Sequence, residues 1–319
     1  MSAAFSDNAL PLDALLAQFQ DITLEPGYRV KAVNQLVERA DQPQVIHALV
    51  SCVKNDTEIT LLTHTIGMLG RKKLYSAVDV LLGLLACTNA TKIEKQHGGK
   101  TFRQTDAGLR IRVAVIQALG RMEDQRAVDP LIALLSDMSE NYRVRLAAAE
   151  ALGRLGDQQA LSPLVNIVQN DFESSQYLKE SAVKALGMLG DIRALDPLLD
   201  MFESKKGWLN KFSFVKEQVI EAIGKIGHTN NRVQENLIRS LSDRAGYIRL
   251  ASVESLGEVG DVAAVPYLMN SLHDKDDDVA IAAVHSLFQI GGLDLIKSIL
   301  ATQSTLREAV REELEAYVP

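Results

Sequence analysis

A repeat of 33 to 37 residues runs through much of the chain and constrains its fold more than any other feature. The template A-x-x-x-L-G-x-L-G-D-x-x-A-x-x-P-L is clearest in LAAAEALGRLGDQQALSPLVNIV, SAVKALGMLGDIRALDPLLDMF and ASVESLGEVGDVAAVPYLMNSL. Its leading glycines are Gly120, Gly153, Gly187, Gly224 and Gly257. Weaker copies extend the series to Gly67, to Phe288 and, more faintly, to Val37. A period of this length is typical of a solenoid, in which each unit contacts only its neighbours.

Each repeat is predicted to form two helices, because apolar residues recur three and four positions apart, as at Leu146, Ala149 and Leu152. The second glycine of each pair suits the left-handed end of a helix, and the aspartate after it suits the next N-cap. These pairs are Gly156 with Asp157, Gly190 with Asp191 and Gly260 with Asp261, and Pro130, Pro163, Pro197 and Pro266 then lie near a first helical turn. The leading glycine lies inside a helix, so we expect a neighbouring helix to approach it closely.

About eight such hairpins predict an all-α fold, an α-solenoid or superhelical stack that forms a single domain over residues 1–319. Its parts are divergent repeats at 12–87, an inserted loop at 88–108, regular repeats at 109–300, a second inserted loop at 204–214, and a capping helix at 306–317. We expect the first helix to cover Leu12 to Gln20.

Composition limits the classes of partner. Lys and Arg total 34 against 41 Asp and Glu, a net charge of -7, which disfavours nucleic acid as the main ligand. No apolar stretch approaches the ~20 residues that cross a bilayer, so we expect no membrane insertion. Two cysteines and a start without a signal-peptide pattern favour a cytoplasmic protein.

The template, with V-R or I-R opening the second helix, resembles HEAT repeats of the PBS lyase (phycobilin lyase-like) type over residues 109 to 300. The resemblance implies the solenoid fold. It implies two alternative functions, a scaffold or assembly protein and a subunit of a phycobilin lyase that takes a bilin as substrate.

A basic column lies eight residues before the leading glycines. Six of its eight positions are Arg29, Arg112, Arg145, Lys179, Lys216 and Arg249. Acidic residues recur near the end of the preceding first helix, at Asp56, Asp137, Asp171, Glu203, Asp243 and Asp274. We expect a structural ladder in which each basic side chain pairs with an acid and caps the first helix; the alternative is that the column binds a ligand.

Two insertions lie at turns inside a repeat, and both are predicted to project from the same edge of the solenoid. The first carries Lys92, Lys95 and Arg103, and the second carries Lys205, Lys206, Trp208, Lys211 and Phe212. Cationic and aromatic residues on a loop of a rigid scaffold are typical anchors for a partner. The alternatives are that the first loop is a tolerated insertion and that Trp208 and Phe212 fold back on the scaffold.

The concave face of the predicted solenoid is the other candidate surface. Positions three before and one after each leading glycine are basic at Arg121 and Arg154 and acidic at Glu254 and Glu258. Such a face would orient a partner of opposite polarity, although a solvated face of mixed charge is the alternative.

Catalytic patterns are weak. The six histidines lack zinc-ligand spacing, no His-Glu dipeptide occurs, and no nucleophile or phosphate-loop motif is present, so we expect no metal and no cofactor. The leading hypothesis is a non-enzymatic scaffold, adaptor or assembly factor that binds a protein partner. The alternative is a bilin lyase subunit in which Arg112, Arg145 or the lysine-rich loop meets the bilin propionates and Trp208 or Tyr177 stacks on the tetrapyrrole. Cys52 and Cys87 are expected to be inert thiols.

Overall fold

The described part of the chain consists mainly of α-helices. The structure, a computed structural model, describes residues 10–85, 106–170, 175–204, 213–227 and 230–318, and these residues form no strand.

These residues contain seventeen α-helices. The first sixteen form eight hairpins, each with a first and a second helix. The first helices are α1 (Leu12–Gln20), α3 (Pro43–Asn55), α5 (Val78–Leu85), α7 (Val128–Ser136), α9 (Leu161–Gln169), α11 (Leu195–Glu203), α13 (Asn231–Ser240) and α15 (Val265–Ser271). The second helices are α2 (Pro26–Val37), α4 (Ile59–Arg71), α6 (Asp106–Met122), α8 (Tyr142–Leu155), α10 (Gln176–Leu189), α12 (Ser213–Ile226), α14 (Gly246–Val259) and α16 (Asp277–Thr302). A last helix, α17 (Glu308–Ala316), follows them.

The chain divides into two compact units, Met1–Asp157 and Gln158–Pro319, a division that the repeat pattern does not indicate. In each unit the hairpins are stacked in chain order, and each second helix packs against the next second helix. The predicted fold class, an all-α solenoid of helical hairpins, is confirmed.

The ends of the helices follow the predicted chemistry. Gly156, Gly190 and Gly260 are left-handed, with φ of 69°, 64° and 73°, and each ends a second helix. The carboxylates of Asp191 and Asp261 then accept hydrogen bonds from backbone N–H groups two residues later, at 2.8 and 2.9 Å. These caps begin a short 3₁₀ turn that leads into the next first helix.

The predicted boundaries of both inserted loops need correction. Helix α6 begins at Asp106, so the last residues of the predicted 88–108 loop are helical. Helix α12 begins at Ser213, within the predicted 204–214 loop. The acidic residue at position 106 favours a helix start, because a carboxylate stabilises the first turn.

Close contact between second helices explains the leading glycines. A Cβ atom on Gly120 would lie 2.8 Å from the Cβ and 2.9 Å from the Cα of Ala151, and one on Gly187 would lie 3.1 Å from the Cβ of Ala222. The helix backbones meet there at a distance that leaves no room for a side chain. The expected close approach is therefore present.

The weak copy at Gly67 is out of register in the sequence analysis. A Cβ on Gly67 would meet nothing within 4 Å, whereas one on Gly70 would lie 2.6 Å from the Cα of Ala118. Gly70 is therefore the contact glycine of α4, and Arg71 occupies the repeat position of Arg121. A three-residue shift keeps a glycine on the helix but turns it by 60°, toward open space.

Helix α16 has 26 residues, and it is the one helix among those described whose length and composition would let it cross a membrane. Its backbone breaks at Gly292, where φ is 62° and ψ is -159°, so it consists of two shorter helices. Neither reaches the ~20 residues that span a bilayer. Val284, Leu287, Ile296 and Ile299 are buried, which accounts for its apolar composition.

Replacement by alanine is predicted to change stability in opposite directions at Gly67 on α4 and at Gly120 on α6. Gly120→Ala should lower the free energy of unfolding by about 1–3 kcal/mol, because the new methyl group overlaps the backbone of Ala151. Gly67→Ala should raise it by about 0.5–1 kcal/mol, since alanine is the better helix former and the space is open. Urea denaturation of both variants measures the two signs, and equal effects would contradict the assigned register.

Candidate partner-binding face

The predicted basic ladder is a set of buried contacts inside the scaffold. The Nε of Arg29 on α2 donates to the carbonyl oxygen of Phe19 at the end of α1, at 2.9 Å, and its guanidinium forms an ion pair with Asp56 after α3. One side chain thus caps its own first helix and reaches the acid of the following hairpin. The ladder residue therefore joins neighbouring hairpins.

Arg249 repeats this arrangement, and other ladder residues show one part of it. Both Nη atoms of Arg112 donate hydrogen bonds to the carboxylate of Glu140, at 2.9 and 2.6 Å. The Nε and one Nη of Arg249 donate to the carboxylate of Asp274, both at 2.7 Å. Lys216 forms an ion pair with Asp243, Arg145 donates to the carbonyl oxygen of Leu135 at 3.0 Å, and Lys179 is buried.

The ladder differs from the prediction in the acid that each basic residue takes. The expected acid stood in the same hairpin, whereas Lys216 and Arg249 use Asp243 and Asp274 of the hairpin that follows. Glu203, expected beside Lys216, binds Arg232 at 2.8 Å instead. A basic side chain at the start of the second helix points toward the next hairpin, where the exposed end of the next first helix offers its acid.

Burial is the largest single influence on the Asp274 carboxyl and raises its pKa, but the hydrogen bonds from Arg249 and from the backbone of Asp276, together with the positive charges of Arg249 and Lys275, lower the net pKa. The carboxylate therefore stays charged in the ladder. Arg112 and Arg145 are 1% and 4% exposed, so they do not reach the propionates of a bilin, as the lyase hypothesis required of them.

Glu140→Gln tests the ladder. It should lower the free energy of unfolding by about 3 kcal/mol, because it leaves the buried Arg112 cation without its carboxylate. Asp79→Asn, which breaks an exposed ion pair with Arg126, is the matched control and should leave the melting temperature unchanged. Equal effects in thermal denaturation would mean that the buried pair adds nothing to stability.

The second helices of the first unit form an open groove. Its floor is apolar, with Leu109, Val113 and Ala114 on α6 and Leu146 on α8, and its volume is about 460 Å³. Arg110 and Arg143 line it at the helix N-terminal ends. Three further arginines continue the same helix faces toward the C-terminal ends, Arg71, Arg121 and Arg154. We call these five arginines and the four apolar residues the arginine groove.

The arginines lie in rows because of helical periodicity. Arg110 and Arg121 are 11 residues apart on α6, as are Arg143 and Arg154 on α8. Eleven residues make three turns and about 17 Å, so both members of each pair lie on the same face. The arginine groove therefore has positive charge at both ends, and between them lie the apolar residues Val113, Ala114 and Leu146, followed by Gln117 and Glu150.

The positive charge of this groove is not neutralised locally. Arg71, Arg110, Arg121 and Arg154 form no ion pair with any residue in the described ranges. Burial, followed by the positive charges of Arg154 and Arg71, lowers the pKa of Arg121. Guanidinium groups that repel one another at the surface create a field that attracts anions.

The second unit carries different chemistry at the same helix positions. Tyr177 and Phe214 stack with ring centroids 5.8 Å apart, and Tyr247 is exposed. One to three turns further along the helices is a set of acids, namely Glu180, Glu217, Glu221, Glu254 and Glu258. Burial, and then Glu221, Glu180 and Glu254, raise the pKa of Glu217. This aromatic and acidic face is the negative counterpart of the arginine groove.

Glu217→Gln has a predictable pH dependence. The pKa of the Glu217 carboxyl is higher in the folded protein than in the unfolded chain, so its protonated form favours folding. This contribution to stability is fully present below the unfolded pKa and is lost as the pH rises through the folded pKa. The variant should therefore melt at a higher temperature than the parent at pH 7, and the difference should vanish near pH 4. Glu235→Gln on the exposed side of α13 is the control. A lower melting temperature at pH 7 would contradict the assignment.

Two of the sequence-predicted binding residues, Arg121 and Arg154, lie on the arginine groove. The others lie outside the described residues; they are Lys92, Lys95, Arg103, Lys205, Lys206, Trp208, Lys211 and Phe212. The sequence analysis missed Arg71, Arg110 and Arg143. The register set by Gly70 would have identified Arg71. Arg110 and Arg143 could have been found by their position, two residues before the ladder arginines Arg112 and Arg145.

In the described ranges, no group of three or more His, Cys, Asp or Glu side chains could hold a metal. Cys52 is buried, and burial together with the nearby Asp56 raises its pKa to about 12, which makes it a poor nucleophile. Cys87 lies outside the described residues.

Comparison with known families identifies the repeat. The HEAT repeats family model matches residues 104–176 and 210–288, and the PBS lyase HEAT-like repeat model matches residues 178–204. No curated protein matches the sequence significantly.

Solved structures share the fold at low identity. Kap95p, in a complex with RanGDP, is 14% identical with a TM-score of 0.57, and the match covers 96% of this chain and 46% of that one. The E. coli protein YibA is 16% identical with a TM-score of 0.52, covering 89% and 94%. The CpcE and CpcF complex of phycocyanin lyase from Nostoc sp. is 19% identical with a TM-score of 0.49, covering 85% and 94%. At these identities the likeness concerns the fold alone.

Proposed function

Because the chain belongs to the HEAT-repeat proteins of the PBS lyase type, we propose that it is a scaffold that binds a protein partner on the faces of its second helices. The observation that carries the proposal is the arginine groove. Its arginines are held on packed helices, they have no ion-pair partner among the described residues, and apolar surface lies between them.

Arginine and apolar surface together support binding of a protein. Arginine is enriched among the residues that contribute most to protein interfaces, and a rigid helix presents it at little cost in conformational entropy. The face of the second unit adds tyrosines and carboxylates at the same repeat positions. Within each unit, charge of one sign on the second helices favours a partner segment of the opposite sign.

The alternative is a subunit of a bilin lyase, and the match to the PBS lyase HEAT-like repeat favours it. The volume of the arginine groove, about 460 Å³, is in the range of small-molecule sites. In this alternative Arg110 and Arg143 take the place of the buried Arg112 and Arg145 as partners of the propionates. The lysine-rich loop and Trp208 remain candidates for the same role, and Trp208 also for anchoring a protein.

Charge reversal tests the scaffold proposal. The partner is identified by chemical cross-linking of the full chain, and its affinity is then measured for purified proteins. Arg121→Glu combined with Arg154→Glu should weaken the affinity at least about tenfold and leave the melting temperature unchanged, because both side chains lie at the surface. The weakening should shrink at high salt.

The matched control is Lys54→Glu combined with Lys297→Glu, which changes the net charge equally at exposed positions away from the arginine groove, on α3 and on the part of α16 that follows Gly292. Loss of affinity in both double variants would indicate a general charge effect and contradict the proposal. A bilin titration decides the alternative. A red-shifted absorbance band that Arg110→Gln abolishes, with transfer to an apo-phycobiliprotein, would favour the lyase function.

A further inference from the structure

We infer that the arginine groove is the docking site of an amphipathic helix of the partner, with carboxylates in its first and last turns and aliphatic side chains between them. This rests on the proposed function and names the chemistry of the segment that the groove takes.

The floor of the groove selects aliphatic side chains. Leu109, Val113 and Leu146 are only partly buried, although similar residues two positions away, such as Ile111 and Val144, are fully buried. The exposed apolar side chains follow α6 at Leu109 and Val113, one turn apart, and Leu146 of α8 lines the same groove. A helix laid along two packed helices buries such a stripe with side chains three and four residues apart.

The ends of the groove set the spacing of the charges. Its two rows of arginines are about 17 Å apart, which is the rise of 11 residues of α-helix. A bound helix therefore meets both rows when its carboxylates are 11 positions apart. Arg71, Arg121 and Arg154 at one end and Arg110 and Arg143 at the other provide the complementary charges.

The centre of the groove argues against a polyanion. Glu150 lies on α8 between Leu146 and Arg154, and Gln117 occupies the equivalent position on α6. A continuous row of phosphates would place negative charge against Glu150. An occupant with carboxylates only at its ends avoids this repulsion.

The arginines of the groove are available to a ligand, unlike their neighbours in the ladder. Arg110 stands two residues before Arg112 on the same helix, yet Arg112 is buried and bound to Glu140, whereas Arg110 is exposed. Because Arg110 has no ion pair with a described residue, a partner carboxylate need not displace an existing one.

Synthetic peptides of about 15 residues, labelled for fluorescence anisotropy, test the inference with the full chain. The first has glutamates in both end turns and leucines on one central face. A second has glutamine for glutamate, a third has serine for leucine, and a fourth has all its glutamates at one end. The first should bind at least about tenfold more tightly than the other three.

Binding of the first peptide should fall at least about tenfold for Arg110→Gln combined with Arg121→Gln, and should persist for Lys54→Gln combined with Lys297→Gln. Equal binding of the first and fourth peptides, or binding insensitive to the groove variant, would overturn the inference. So would tighter binding of a single-stranded oligonucleotide that competes for the groove. If the natural partner needs Arg121 and Arg154 but no peptide binds, the docking helix is wrong and the proposed function stands.

Discussion

The contact between a glycine of one second helix and a small residue, alanine or serine, of the next is the interaction on which the rest of each unit depends. At Gly70 and Gly120 the contact leaves no room for a Cβ atom, so adjacent second helices lie at one fixed, short distance. That distance aligns equivalent positions of successive hairpins. The arginines of α4, α6 and α8 form rows only because the backbones beneath them are held in this register.

Position in the repeat, more than residue type, decides what each arginine does. Arg112 is buried and bound through both Nη atoms to Glu140, so its charge serves the scaffold. Arg110 lies two residues away, which turns its side chain by 200° and places it at the surface. A count of basic residues therefore says little about the binding surface of a repeat protein. The angular position around the second helix carries the information.

Much of the fold could be predicted from the sequence because its signals are local. Gly156 and Gly190 end helices through their own backbone conformation, and the helix Leu12–Gln20 follows from apolar periodicity. The register at Gly67 and Gly70 could not be predicted, since both are glycines of one helix and only the neighbouring Ala118 distinguishes them. The pairing of Lys216 with Asp243 and the groove between α6 and α8 likewise depend on how successive hairpins meet.

The ladder gives the stack a direction. Arg29, Lys216 and Arg249 each take their acid from the hairpin that follows in the chain. Removing the hairpin that follows a ladder cation leaves that buried cation without its acid. Removing the hairpin that precedes it only exposes a carboxylate. The position that would carry the next cation, on α16, is occupied by Ala280. Within each unit, loss of the hairpin that follows a ladder cation is therefore expected to cost more stability than loss of the hairpin that precedes it.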